Sequence, residues 1–170
     1  MSNIQLMKKA LNKNVIAPLL EQGFTGKWPN FRKVYHHHIE LLTFQTNKYG
    51  GSFTVELSAI FPNANNKNYT NFDDKPLSEL NVWDTNVRYR LKGMYDGWFY
   101  YRDLYKKYIF GFGVAYFDVN ETKANEFIMP KGYKLVQKFD TKTAENICFI
   151  VNKQLKKGFK WLNHFVKKHT

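Results

Sequence analysis

The chain has 170 residues, 44% hydrophobic and 18% aromatic, with 26 Lys plus Arg against 14 Asp plus Glu and a formal net charge of +12. That length suits one domain, residues 1–170, with a substantial core, and the lone Cys148 excludes an intramolecular disulfide or a Cys-cluster zinc site. No apolar run approaches the ~20 residues of a membrane span, and "MSNIQLMKKALNKN" is too polar for a signal peptide, so a cytoplasmic location is expected.

Ile4, Met7, Leu11 and Val15 recur at helical spacing, followed by Leu19 and Leu20, and predict an N-terminal helix. Ser2 is its candidate N-cap, Pro18 should kink it or start its last turns afresh, and Gly23 is a natural stop. "GFTGKWPNFRKVY" reads as a turn into a strand. "VYHHHIELLTFQTNKYGGSFTVELSAIF", residues 34 to 61, reads as a hairpin joined at Gly50-Gly51. Its first arm, Tyr35 to Gln45, mixes phase because Leu41 and Leu42 are adjacent, which calls for a bulge or cover on both faces. Its second arm alternates cleanly, with Phe53, Val55, Leu57, Ala59 and Phe61 set against Thr54, Glu56, Ser58 and Ile60.

Residues 62 to 80, rich in Asn and Pro, read as a surface loop. Val87, Tyr89 and Leu91 alternate with Arg88 and Arg90 as a strand, and Asp96-Gly97 signals a hairpin turn into "WFYY". "YIFGFGVAYFDV" reads as one further strand, bent or bulged at Gly111 and Gly113. Asp140 or Thr143 caps a last helical region whose apolar stripe runs from Ala144 through Ile147, Cys148, Val151, Leu155, Phe159 and Leu162 to Val166. Gly158 is expected to divide that region into two helices. The order predicts an α+β domain: an N-terminal helix, an antiparallel sheet of five to six strands, and C-terminal helices packed on one sheet face.

Three groups of residues carry candidate chemistry. On a strand, His36 and His38 would share one face with Glu40 while His37 points away. A His-x-His pair can ligate a metal, but a zinc site needs a third converging ligand, and His164 and His169 lie far off in the C-terminal helix. A polar strand edge is the plainer reading, and neither metal nor cofactor is expected. In "VRYRLKGMYDGWFYY", Arg88 and Arg90 share a strand face beside Asp96, Trp98 and Tyr100, where guanidiniums among rings can hold a carboxylate or phosphate. The plainer alternative is Arg stems packed over rings and paired with Asp96 or Glu56. Lys153, Lys157, Lys160, His164 and Lys167 form a basic stripe opposite the apolar one, suited to nucleic acid or an anionic surface, or simply to solvent. With 22 Lys and only four Arg, in a composition that follows AT-rich coding, nucleic acid is a possible partner but not the favoured one. Cys148 sits on the apolar stripe as inert core, and "GFGVAY" lacks the third glycine of a dinucleotide loop.

Several segments, in order, resemble a bacterial family known as domain of unknown function 4304. They are "APLLEQGF", "WPNFRKVY", "ELLTFQTNKYGGSFTVELSAIF", "RYRLKGMYDGWFYY" and "KKGFKWLNHF". The chain departs from the family pattern at Thr46, where Ser is usual, and at Trp98-Phe99, where two Trp are common. The resemblance implies an α+β fold and carries no established activity. Without a nucleophile–base pair, the reading that follows is a non-enzymatic binding module, of immunity type in one version. It would take a protein or a small anionic ligand on a sheet face around Gln45, Glu56, Arg88, Arg90, Asp96 and Trp98. The alternatives are polyanion binding by the basic stripe and a metal-dependent hydrolase at His36, His38 and Glu40.

Overall fold

The computed structural model of the chain describes residues 2–62, 75–94, 97–110, 113–118 and 131–169. Helix α1 (Asn3–Leu11) opens on a reciprocal capping box: the Ser2 hydroxyl accepts from the Gln5 amide, and the Gln5 side chain accepts from the Ser2 amide at 3.0 Å. The helix widens into a π turn, Asn12–Ile16, and continues as α2 (Ala17–Glu21). The irregularity expected of Pro18 thus lies just upstream of it. Proline has no N–H, so the Asn14 carbonyl lacks a helical donor, and Asn152 supplies one from Nδ2 at 2.8 Å.

The main sheet runs β1 (Thr25–Lys27), β2 (Asn30–Val34), β3 (Ile39–Thr46), β4 (Ser52–Ile60) and β5 (Tyr89–Arg90), with β6 (Phe99–Tyr100) also paired to β4. Every pair is antiparallel. The β3–β4 turn needs glycine at Gly51 twice over: its φ is +74°, and the Arg102 side chain occupies the space a Cβ would take.

β4 is buried along its whole length, so its alternation separates two covered faces rather than inside from outside. On one, Phe53, Val55, Leu57 and Ala59 join Leu42 and Phe44 under α1 and the C-terminal helix. On the other, Ile39, Leu41 and Ile60 form a small second core with Leu80 and Val82. Cover on both faces, not a bulge, explains the adjacent Leu41 and Leu42.

Helix α3 (Thr141–Lys167) starts at Asp140, whose carboxylate accepts from the Thr143 amide at 2.7 Å. It is continuous, contrary to the break expected at Gly158. That glycine faces the sheet, where a Cβ would lie 2.9 Å from Leu57 Cδ1 and 3.2 Å from Leu91 Cδ2. It permits close helix–sheet approach and does not end the helix.

β5 and β6 are successive pieces along one edge of β4, pairing Glu56 with Arg90 and then Phe53 with Phe99. "WFYY" therefore does not face Arg88 and Arg90 across a hairpin, because β6 pairs with β4 and not with β5; the Met94 amide donates to the Trp98 carbonyl at 3.1 Å. The strand expected across "YIFGFGVAYFDV" is also two: β7 (Leu104–Ile109) and β8 (Gly113–Asp118), antiparallel. With β9 (Lys134–Gln137) they make a separate sheet ordered β8-β7-β9. Gln137 ties it to the main sheet by donating to the Tyr100 and Arg102 carbonyls, each at 2.9 Å. Asp96, Gly111 and residues 63–74 of the expected loop lie outside the described residues.

Candidate functional site

Register brings most of the expected polar-aromatic residues together. Gln45 pairs with Thr54, and Glu56 with Arg90, so all four side chains share the sheet face turned away from α3. Arg90 Nε lies 3.5 Å from Glu56 Oε1 and donates to Thr54 Oγ1 at 3.2 Å, while an Nη donates to Gln45 Oε1 at 3.3 Å. Its guanidinium lies over the Trp98 ring, 5.1 Å from the centroid. Arg88 repeats the pattern: its Nε lies 3.8 Å from Glu56 Oε2, and its guanidinium sits 5.0 Å over the Trp83 ring.

Glu56 is 8% exposed, whereas Arg88 and Arg90 are 38% and 46% exposed. One buried carboxylate therefore faces two solvent-accessible guanidiniums, leaving a local excess of one positive charge. Among the described residues Glu56 Oε2 accepts no hydrogen bond and Arg88 donates none. The arrangement can receive a further anion on guanidiniums backed by Trp rings.

Thr54 and Trp83 were missed by the sequence reading. Trp83 rides on a 3₁₀ turn (Val82–Asp84) capped by Asn81 and pinned by Lys75 Nζ on Asp84 Oδ1 at 2.6 Å. The Asn81-x-x-Asp84 spacing signals that turn locally. That it delivers a ring beneath Arg88 depends on the tertiary fold. At the β1–β2 hairpin, Asn30, Arg32, Ser78 and Glu79 line a cleft of about 580 Å³ with Trp28, whose ring packs on Phe44 of the helix-side core.

The histidines do not lie on a strand. β2 ends at Val34 and β3 starts at Ile39, and the Tyr35 amide closes the intervening turn on the His38 carbonyl at 2.9 Å. Strand alternation therefore does not set His36 and His38 on one face. The His36 and His37 rings meet edge to face at 4.2 Å, and His38 stacks on Tyr35 at 4.5 Å. His38 Nε2 is 3.9 Å from Glu40 Oε1. Burial lowers the His38 pKa, with the neighbouring His37 adding to it, and burial raises that of Glu40 against the pull of Lys33 and a Tyr35 hydrogen bond. Both shifts favour the neutral forms. Among the described residues no three His, Cys, Asp or Glu side chains come together to hold a metal ion.

Lys153, Lys157, Lys160, His164 and Lys167 are all exposed on α3. Cys148 is buried, and burial pushes its thiol up to about 12. Among the described residues no helix is long and apolar enough to cross a membrane. A family model described as "Domain of unknown function (DUF4304)" matches residues 15–164. No curated protein and no solved structure matches the chain significantly.

Proposed function

From a chain that belongs to the DUF4304 family, and so shares a fold whose description assigns no activity, we propose a non-enzymatic, cytoplasmic bacterial interaction module. Its recognition surface is the face formed by Gln45, Glu56, Trp83, Arg88, Arg90 and Trp98, and its ligand is a carboxylate-bearing protein surface. One observation carries this reading. The Arg88 guanidinium lies over the Trp83 ring, 5.0 Å from its centroid and exposed to solvent, and meets Glu56 at 3.8 Å with its hydrogen-bond fork unspent among the described residues.

An Arg fork matches a carboxylate with two parallel N–H donors, and ring stacking lowers the entropy lost when the contact forms. Trp and Arg also dominate the energetics of protein interfaces. An immunity-type role, neutralising a toxin, is the specific version this surface suits. The net charge of +12 favours an acidic partner surface over the basic active face of a nuclease.

Affinity capture from the native host tests the proposal with wild type, Arg88→Ala/Arg90→Ala and a Lys142→Ala control. A partner retained by wild type and control but lost by the double variant upholds it. A partner retained equally by all three removes this face from the function.

A further inference from the structure

The opposite side of the main sheet carries a second, independent surface. Beyond Glu145, α3 has no acidic residue, and from Lys153 to Lys168 it holds six Lys and His164. Spacings of three, four and seven set Lys153, Lys156, Lys157, Lys160, His164 and Lys167 on one arc, all exposed. Ala144, Ile147, Val151, Leu155 and Leu162 occupy the other arc, in the core. Among the described residues these lysines make no ion pair or hydrogen bond. Lys156, Lys160 and Lys167 line a groove of about 500 Å³ with His164, Phe159 and Asn163.

We propose that this groove and the lysine arc bind the phosphate backbone of a nucleic acid without sequence preference. At 1.5 Å per residue the arc from Lys153 to Lys167 is about 21 Å long, and a duplex presents one charge per about 1.7 Å, so several phosphates are faced at once. Ammonium groups neutralise phosphates as point charges but cannot fork onto a base edge, so contact without sequence readout follows from Lys in place of Arg. A coding bias toward Lys would raise the count anywhere in the chain and would not gather lysines on one helix face without a carboxylate. A bilayer is disfavoured because an amphipathic helix needs its apolar face free, and that of α3 is in the core. A protein partner is disfavoured because Lys is depleted at protein interfaces and the groove holds no Arg or Trp.

Fluorescence anisotropy of a labelled oligonucleotide of about 20 nucleotides, as single strand and as duplex, reads this out directly. Binding is expected at about 50 mM salt and weakens roughly 100-fold at about 200 mM, the change for four phosphate contacts. Lys153→Gln/Lys160→Gln/Lys167→Gln lowers low-salt affinity by at least about tenfold and flattens the salt dependence. Lys8→Gln/Lys9→Gln/Lys13→Gln, which removes equal charge from the N-terminal helix, changes it by less than about twofold. Circular dichroism checks that both triple variants keep their helix content. Arg88→Ala/Arg90→Ala keeps wild-type affinity here, which separates this surface from the one proposed above. Absence of binding at low salt, equal losses in both triple variants, or tighter binding to phosphatidylserine-rich vesicles than to the oligonucleotide would each overturn the inference.

Discussion

On the helix side of β4, Phe53, Val55, Leu57 and Ala59 pack into the main hydrophobic cluster with α1 and α3. On the other side of the same strand, Thr54 accepts from Arg90, Glu56 faces both arginines, and the Ser58 hydroxyl donates to the Val87 carbonyl at 2.6 Å. The first side is stabilised by apolar area, at roughly 25 cal/mol per Å². The second is held by charged contacts that water still reaches on the arginine side, where net gains are about 0–1 kcal/mol. The difference assigns most of the stability to the helix side and leaves the two arginines of the other side exposed for recognition.

The comparison breaks most readily at Gly158. A methyl there already crowds Leu57 and Leu91, so Gly158→Val is expected to cost about 2–3 kcal/mol in urea unfolding. An unchanged midpoint would mean that close α3–sheet approach does not set stability. Asn152→Ala comes next, at about 1–2 kcal/mol, because it strips the Asn14 carbonyl of its donor. Glu56→Gln removes the charge shared by two arginines. Both are more than a third exposed, so screening keeps the loss to about 1 kcal/mol, while capture of the partner is expected to fall sharply. Arg88→Lys should shift stability by less than about 0.5 kcal/mol yet lose the guanidinium contact over Trp83 and, with it, partner retention. A stability loss as large as that of Gly158→Val would erase the distinction between the faces.

The last effect is a direction only. A carboxyl whose pKa is raised on folding favours the folded state below its ordinary value of 4.5, and that contribution is lost as pH rises through the raised value. Glu40→Gln should therefore compare more favourably with wild type near pH 7 than near pH 4 in parallel unfolding titrations. His38, whose lowered pKa contributes stability above 6.5 that is lost as pH falls, lies 3.9 Å from Glu40, so the same comparison made in a His38→Gln background separates the two titrations. A difference independent of pH would show that burial does not perturb Glu40.

Much of the candidate face was legible because strand alternation is local: Arg88 and Arg90 had to share a side, as did Thr54 and Glu56. Gln45, Glu56, Arg88, Arg90 and Trp98 are found there together. Trp83 was not legible, because no local pattern says which ring a neighbouring segment will bring beneath a guanidinium. The histidine turn shows the reverse error. A β-rich stretch was extended four residues too far, and a turn took Tyr35 to His38 off the strand.

Short-range forces written in the sequence determined the Ser2 capping box, the alternation of β4, the Asp140 cap and the apolar stripe of α3. Each depends on residues within a few positions of one another. Whether Gly158 ends a helix or admits a sheet was decided by Leu57 and Leu91, distant in sequence. Likewise, whether "WFYY" pairs with the arginine strand or continues it was decided by the unfilled edge of β4. Local propensity limits the conformations a segment can adopt, and burial against the rest of the chain selects among them.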